Sequence, residues 1–471
     1  MKILLVLSPM FEHKSHLLSS TDSEIPIGLC YLGAVLEKAG HSVKTLDGQL
    51  VQNIGQELKN ILNQEKFDAV GFSAVTPSSS NASKLAGAVK QISHEILTIL
   101  GGVHATVTGP SVLEEMPAID IAVFNEGEIT IIELMEYLQG KRKLESIDGI
   151  AFRKNGDIIK TNPRKLIENL GSIPYPAYHL IDIYKYAPPP GLFFKLPIIS
   201  MISSRGCPFR CNFCADRIIW QGRYRFRKPQ AIVDEMEYWA KKYGVKEVKF
   251  LDSTFTIGRE RIIEFCNELL KRNLGLLWRC SSRVDQEDFE LLKLMAKSGC
   301  CSISFGIESG SDEILKKMNK NIIVEQIKQT IKWSKGAGIE TKGFFMLNYP
   351  GETKETIEKT INLSRELDLD FAGFNLAIPY KGTQMREEVE KYCRPEPKYW
   401  DNPDSPLGNQ IYFYQDNLPV EYLKKAYQRA LFGFYLRPKM IIKNIKKIRN
   451  FSVLKSYLRG LLRLLRLHVI E

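Results

Sequence analysis

Three cysteines, Cys207, Cys211 and Cys214, stand close together in the stretch SSRGCPFRCNFC, residues 203–214, separated by three and then two residues. Their type and spacing limit the chemistry they can do. A structural zinc ion takes four N or S ligands, usually as two separated pairs. Here three thiols share one loop, and no further cysteine or histidine follows within the next fifty residues. Three is also the wrong number for disulfides. The chain holds nine cysteines, an odd count, and it shows no export signal, so reduced thiols and a cytoplasmic setting are expected. Three thiolates at this spacing can hold three irons of a [4Fe–4S] cube and leave the fourth iron open to an outside ligand. The competing reading is accidental clustering or part of a zinc site.

Such a loop must be carried by rigid elements. Residues 1–145 alternate short apolar runs (KILLVLSP, SVKTLD, DAVGFSAVT, LTILGG, DIAVFNEGE) with helical patterns such as GLCYLGAVLEKAGH and ASKLAGAVKQISHEIL. That alternation implies a doubly wound parallel α/β sheet, Rossmann-like, with ligands at the strand C-ends. Residues 146–195 read as a linker with a hairpin signal, GIAFRKNGDIIKT, and two Pro-rich runs. From 196 to 385 six strand candidates alternate with longer helices: PIISMISS, EVKFLDSTF, LLWRCSSR, CSISFGIES, TKGFFMLN and DFAGFNLAIP. Six βα units make a partial (β/α)6 barrel whose active site lies at the strand C-ends. The three cysteines follow the first of these strands, on that face. Residues 386–471 read as a helical, basic C-terminal region.

The loop and its setting resemble the radical SAM (S-adenosylmethionine) superfamily, and the resemblance spans 196–385. It implies a [4Fe–4S] cluster on Cys207, Cys211 and Cys214. The open iron would chelate SAM, and reductive cleavage of SAM would yield a 5′-deoxyadenosyl radical that takes hydrogen from an unactivated carbon. Further segments are similar in order and spacing. Phe213 occupies the aromatic slot before the last cysteine, where the family's backbone contacts adenine. FLDSTF ends the second strand with Asp252 and Phe255, and WRCSSRVD places Arg283 at the end of the third. FGIESGS carries Glu308, which the resemblance makes a SAM-positioning residue. Structural roles compete at each: a buried acid for Glu308, a helix cap for Asp252, an ion pair for Arg283. Cys266, Cys280, Cys300, Cys301 and Cys393 read as small core residues. No residue is assigned to steering the substrate radical; Tyr349 and Tyr380 lie at strand ends, with packing the simpler role.

The first domain resembles the cobalamin-binding domain of cobalamin-dependent radical SAM proteins, through IPIGLCYLGAVLEKAGH, ILGGVHAT and NEGE. The resemblance implies cobalamin as a second cofactor. Gly101 and Gly102 would let backbone approach a large planar ligand. Ser73 and Thr76 would offer hydroxyls to a nucleotide tail, and Glu126 and Gly127 lie in a turn with backbone donors. His104 would contact the nucleotide or corrin edge, or serve the structure only. One departure matters. Where Asp-x-His-x-x-Gly would supply a cobalt-ligating histidine, this chain has DGQLVQ, with Asp47, Gln49 and Gln52. The lower cobalt ligand is therefore expected to be absent, as in the family's methyltransferases; a domain that has lost its cofactor is the other reading.

Charge is uneven. The net charge is +11, yet residues 422–470 hold thirteen Lys or Arg and no Asp or Glu, so the rest is slightly acidic. In the tail, Val453, Leu454, Tyr457, Leu458, Leu461, Leu462 and Leu465 share one helical face, and Lys455, Arg459, Arg463 and Arg466 the other. Such a helix suits an anionic membrane surface, or it docks on the barrel with a solvated basic face. Nucleic acid is not the expected partner. No run of about 18 apolar residues is present, so no transmembrane helix is expected. The sum is a radical C-methyltransferase acting on a hydrophobic, lipid-like or other small molecule, served by an electron donor such as flavodoxin or ferredoxin. A cobalamin-dependent radical cyclase or ring-rearranging enzyme on a lipid or tetrapyrrole is the alternative. A non-catalytic cobalamin sensor is a third reading, disfavoured because a sensor needs no open iron.

Overall fold

The computed structural model describes residues 1–10, 23–186, 188, 193–400 and 410–447. The chain divides into two compact units, the first holding Met1–Ala187 with Ile218–Gln221 and the second most of the remainder.

The first unit is built on seven strands: β1 (Lys2–Leu7), β2 (Ser42–Asp47), β3 (Ala69–Ser73), β4 (Leu97–Gly101), β5 (Ile121–Val123), β6 (Ile150–Lys154) and β7 (Asp157–Lys160). Their order is β2-β1-β3-β4-β5-β6-β7. The first five run parallel, and the β6–β7 hairpin joins antiparallel at the β5 edge. Ile3, Leu4, Leu5 and Val6 are all buried. A strand apolar on both faces needs cover on both, and helices supply it. One core layer holds Leu4, Val6 and Val70 with Leu85 and Val89; the other holds Ile3, Leu5 and Ile99 with Leu36 and Leu134. The hairpin turns at Asn155–Gly156, both with positive φ, as a two-residue turn matched to strand twist requires. The order 2-1-3 makes the β1/β3 junction a switch point, where open sheets of this kind bind ligands beyond the strand C-ends.

The second unit carries six parallel strands: β8 (Ile198–Met201), then, after the two-residue strands β9 (Ser204–Arg205) and β10 (Arg225–Phe226), β11 (Glu247–Phe250), β12 (Leu277–Ser282), β13 (Cys300–Glu308), β14 (Glu340–Leu347) and β15 (Phe371–Leu376). The order is β15-β14-β13-β12-β11-β8, so β15 and β8 are edges and the barrel stays partial. β9 and β10 pair antiparallel around the cysteine loop. The outer side is fixed by aromatics: Phe250, Phe255, Phe265 and Trp278 contact one another at centroid distances from 4.5 to 6.1 Å. This places Phe255 in the core. Burial alternates strictly along β14: Thr341, Gly343, Phe345 and Leu347 are buried, and Glu340, Lys342, Phe344 and Met346 half-buried. That period of two distinguishes a packed outer face from an inner one.

The C-terminal segment completes the functional face. β16 (Arg394–Pro395) pairs with β17 (Phe413–Tyr414). Buried Gln415 then ties down the loop after β14: its Nε2 donates to Asn348 Oδ1 and Tyr349 O, both at 3.0 Å, and its Oε1 accepts from Gly351 N at 2.7 Å. The helix Val420–Tyr435 packs on β15. The helix Pro438–Lys447 turns basic side chains inward, Lys439 pairing with Asp368 at 3.0 Å and Lys443 with Asp370. Ile441 and Ile442 are exposed. The amphipathic faces expected at 453–466 lie outside the described residues. Among the described residues, no helix is long and apolar enough to cross a membrane.

Two buried carboxyls, Glu287 and Glu352, are pushed up to about 8, chiefly by loss of hydration. One oxygen of each has no hydrogen-bond partner. The folded chain keeps these protons up to about pH 8, whereas an ordinary glutamate loses its proton near 4.5. Between those values the native state binds more protons than the unfolded state, so their contribution to stability falls as pH rises. Glu287→Gln removes one such proton. Its melting temperature should gain on the wild type between pH 5.5 and pH 8 by several degrees; a gap independent of pH would show Glu287 already ionised in the fold.

Candidate cluster and cofactor sites

The loop carrying Cys207, Cys211 and Cys214 is anchored at its base by Asp252. Both carboxylate oxygens are taken: Oδ1 accepts from Ser203 N at 2.8 Å, and Oδ2 accepts from the hydroxyls of Ser203 and, at 2.5 Å, Ser204. Asp252 is buried, and desolvation raises its pKa against the pull of these donors. Its position thus serves the entry to the loop, and it is neither a helix cap nor a group open to a ligand.

The far side of the loop is sewn to residues 317–320. Asn212 N donates to Met318 O at 2.9 Å and Asn212 Nδ2 to Lys317 O at 2.9 Å, while Asn319 Nδ2 donates to Arg210 O at 2.7 Å. Asn319 and Asn321 both have positive φ, a conformation asparagine tolerates better than most residues. Phe213 is half-buried against Ile314, Met318 and Tyr349. Tyr349 is fully buried and donates to Lys317 O at 3.3 Å, a packing role.

Two cations lie beside Cys211. Arg283 Nη1 is 3.6 Å from the Cys211 sulfur, its Nε and Nη2 bind Asp285 at 2.9 and 3.0 Å, and Nη2 also donates to Lys320 O at 2.5 Å. The guanidinium stacks 3.8 Å from the centroid of Phe209. Lys320 Nζ donates to Glu308 Oε1 at 3.0 Å, with both side chains nearly enclosed. Glu308 itself has φ +65, and a Cβ on Gly306 would stand 2.6 Å from its Oε1 and 2.8 Å from Lys320 Nζ. A side chain there would push the pair aside. Lys320 escaped the motif reading; the sole trace in the sequence is its place between two turn-forming asparagines.

The donor set fits a cluster. All three thiols are free, and Cys207 Sγ is 3.7 Å from Thr254 Oγ1. Burial pushes the Cys207 and Cys214 thiols up, and the neighbouring cysteines and Asp216 oppose their ionisation further. Ionising all three needs cationic compensation, which irons supply. Among the described residues no three His, Cys, Asp or Glu converge on one ion position; a cube instead takes one thiolate per iron.

In the first unit, Ser73, Gly101 and Gly102 meet at the C-ends of β3 and β4. Gly102 has φ +96 and ψ −171, and a Cβ there would lie 2.8 Å from Ala74 O. Gly101 faces open space, with nothing within 4 Å of a built Cβ. Ser8, at the end of β1, is buried, and its hydroxyl finds no partner among the described residues. A shelf of bare backbone beside an orphaned hydroxyl fits a large ligand. The other expected residues are more committed. Buried His104 is held by Thr76 at 3.4 Å, Thr108 at 3.5 Å and Glu115 at 3.8 Å. The Glu126 carboxylate accepts from Ile167 N at 2.7 Å, and Gly127 precedes the helix Glu128–Leu138. Gln49 is turned back on Asp47 and Glu24, and Tyr186 donates to Asp47 at 2.7 Å. That loop offers no imidazole, and its Gln49 side chain is already bonded. Gly102→Ala forces a glycine-only conformation and should cost about 1–3 kcal/mol, seen as a lower melting temperature. Gly101→Ala should leave the melting temperature unchanged and weaken hydroxocobalamin binding at least roughly tenfold, about 1.4 kcal/mol; wild-type binding would place the ligand elsewhere.

Comparison with known proteins agrees with both units. Residues 201–364 match the Radical SAM superfamily and residues 17–135 the B12 binding domain. The chain is 33% identical over 465 residues to the uncharacterized methyltransferase PH0819 of Pyrococcus horikoshii, covering 98% of each. It is 32% identical to the anaerobic magnesium-protoporphyrin IX monomethyl ester cyclase of Rubrivivax gelatinosus, covering 77% of this chain and 66% of the cyclase. Among solved structures, the radical S-adenosylmethionine methyltransferase TsrM from Kitasatospora setae superposes with TM-score 0.71 at 18% identity, over 93% of this chain and 89% of TsrM. The cobalamin-dependent S-adenosylmethionine radical enzyme OxsB gives 0.73 at 17% identity, over 99% and 72%. The chain therefore belongs to the cobalamin-dependent radical SAM family, as an enzyme that uses a [4Fe–4S] cluster, SAM and cobalamin.

Proposed function

We propose that this enzyme methylates an unactivated carbon of a hydrophobic small molecule. The observation that carries this reading is the locked Asp47–Gln49–Tyr186 arrangement. Where a cobalt-ligating histidine would stand, this loop carries Gln49 bonded to Asp47, an arrangement suited to handing on a methyl group. The Pyrococcus methyltransferase, similar along its whole length, supports it. When bound, the cofactors supply one-electron cleavage of SAM and a transferable methyl group.

The chain's own residues hold and orient these groups. Cys207, Cys211 and Cys214 hold the cluster, Asp252 fixes the loop's entry, and Phe213 lends its backbone to adenine. Glu308 keeps one carboxylate oxygen for SAM while Lys320 holds the other. Gly101, Gly102, Ser73 and Thr76 form the cobalamin shelf, with His104, Glu126 and Gly127 shaping its rim. Cyclisation of a tetrapyrrole is the second reading, favoured by similarity to the Rubrivivax cyclase. With hydroxocobalamin, iron, sulfide, SAM, a strong reductant and substrate candidates, we expect both 5′-deoxyadenosine and S-adenosylhomocysteine. Deoxyadenosine alone, with a cyclised product, would establish the second reading. Cys211→Ala should abolish deoxyadenosine formation, by at least about 10³-fold, and leave hydroxocobalamin bound.

The electron donor in this reading is a flavodoxin or ferredoxin, and the setting is the cytoplasm, peripheral to the inner face of the membrane. Exposed Ile441 and Ile442 together with the basic tail support membrane contact. The full-length protein should sediment with anionic phosphatidylglycerol vesicles and be released by salt, and Ile441→Asp with Ile442→Asp should weaken this several-fold. Equal binding to neutral vesicles would exclude the electrostatic part.

A further inference from the structure

Nothing in the three-cysteine motif accounts for Lys320. It is a buried lysine at the surface of a loop that holds thiols, and burying an ammonium is costly unless something repays its lost hydration. Glu308 gives one contact. Among the described residues Lys320 Nζ makes this one hydrogen bond, although an ammonium carries three donors. The neighbouring charges are Arg283, which opposes a second cation, and Cys211, which favours one if it is a thiolate. The ammonium also lies 5.9 Å from the centroid of Phe213, the residue before Cys214. The backbone of Lys320 is fixed as well: its carbonyl takes the Arg283 donor, and its neighbours Met318 and Asn319 are bonded to the cysteine loop. The lysine is thus built into the seat of the loop from both ends.

We propose that Lys320 is a positioning residue which, with Arg283, places a buried pair of positive charges beside the cysteine loop and so raises the reduction potential of the cluster. This rests on the reading that Cys207, Cys211 and Cys214 hold a [4Fe–4S] cluster. The physical basis is charge balance. A cube held by three thiolates is an anion, and taking up one electron from an external reductant makes it more negative. A nearby buried cation stabilises the reduced form more than the oxidised form. Hydrogen bonds to the sulfurs act in the same direction, and net charge and solvent exposure set the rest. Arg283 contributes the hydrogen bond at 3.6 Å; Lys320 contributes charge from behind, kept ionised by Glu308. The arrangement eases delivery of the electron before any substrate is bound.

The test uses the full-length protein reconstituted anaerobically with iron and sulfide, in wild type and in Lys320→Met, Lys320→Gln and Lys320→Arg. Iron and sulfide content come first. A wild type that takes up neither would sink the cluster reading itself, independently of Lys320, and the inference with it. With clusters assembled, a dithionite titration followed by electron paramagnetic resonance gives the midpoint potential. The two neutral variants should shift to more negative potential, and Lys320→Arg should stay near the wild type. Neutral variants at the wild-type potential would overturn the inference while leaving the cluster in place. A shift in Lys320→Arg equal to that in Lys320→Met would do the same, since shape rather than charge would then matter. If the neutral variants assemble no cluster and Lys320→Arg does, the requirement for charge is upheld; loss in all three overturns it.

Discussion

The guanidinium of Arg283, 3.6 Å from the sulfur of Cys211, marks the constraint around which the second unit is organised. Three thiols on one loop repel one another once ionised, and the protein must hold them in place while keeping positive charge close. Buried cations need carboxylate partners, so Asp285 and Glu308 appear on adjacent strand ends. The Glu308–Lys320 pair occupies the space a side chain at Gly306 would enter. The segment carrying Lys320 must turn sharply, so two asparagines flank it. Each requirement follows from the previous one, and together they draw on several strands and loops of the partial barrel. Parallel strands are what bring these distant positions to a single end of the sheet.

The first unit meets a different demand with similar means. A large flat ligand needs exposed backbone without side chains, and Gly101 and Gly102 at the β4 end leave backbone bare. The two glycines are not equivalent. One is glycine because the backbone conformation and a close carbonyl forbid anything else; the other has no steric reason within the fold. Asp47, which stands where an Asp-x-His motif would begin, has been redirected to bind Tyr186 and Gln49. The acid is retained and does structural duty.

Much of this was legible in the residues. Short runs rich in apolar residues alternating with helical periods gave both sheets and the position of every parallel strand, because a strand with one buried face or two must carry apolar residues at a fixed period. The Asn155–Gly156 turn announced its hairpin, though not that β6 and β7 would extend the first sheet, since edge pairing depends on residues far away in the chain. Cys207, Cys211 and Cys214 stood out because their pattern is one of local spacing, and the fold carries them on one loop beside Arg283. Asp252 was not: whether a strand-end acid faces a ligand or its own backbone depends on Ser203 and Ser204, nearly fifty residues earlier. Lys320 was invisible for the same reason. An isolated lysine reads as a solvated charge, and only the fold buries it. His104 read as ligand or scaffold, and its three partners come from separate turns.

Gln415 has a bearing on how the molecule comes into being. The loop after β14 takes three of its hydrogen bonds from this one side chain, more than sixty residues downstream. A nascent chain that has emerged only through β15 possesses all six barrel strands and lacks the group that fixes one of the loops at their C-ends. Synthesis therefore separates scaffold from function in time: the sheet can form as its strands appear, whereas the face that holds the chemistry is finished only when the C-terminal segment folds back. During that interval the cysteine loop sits on an incompletely ordered rim, and cluster insertion is best served by waiting for the last part of the chain.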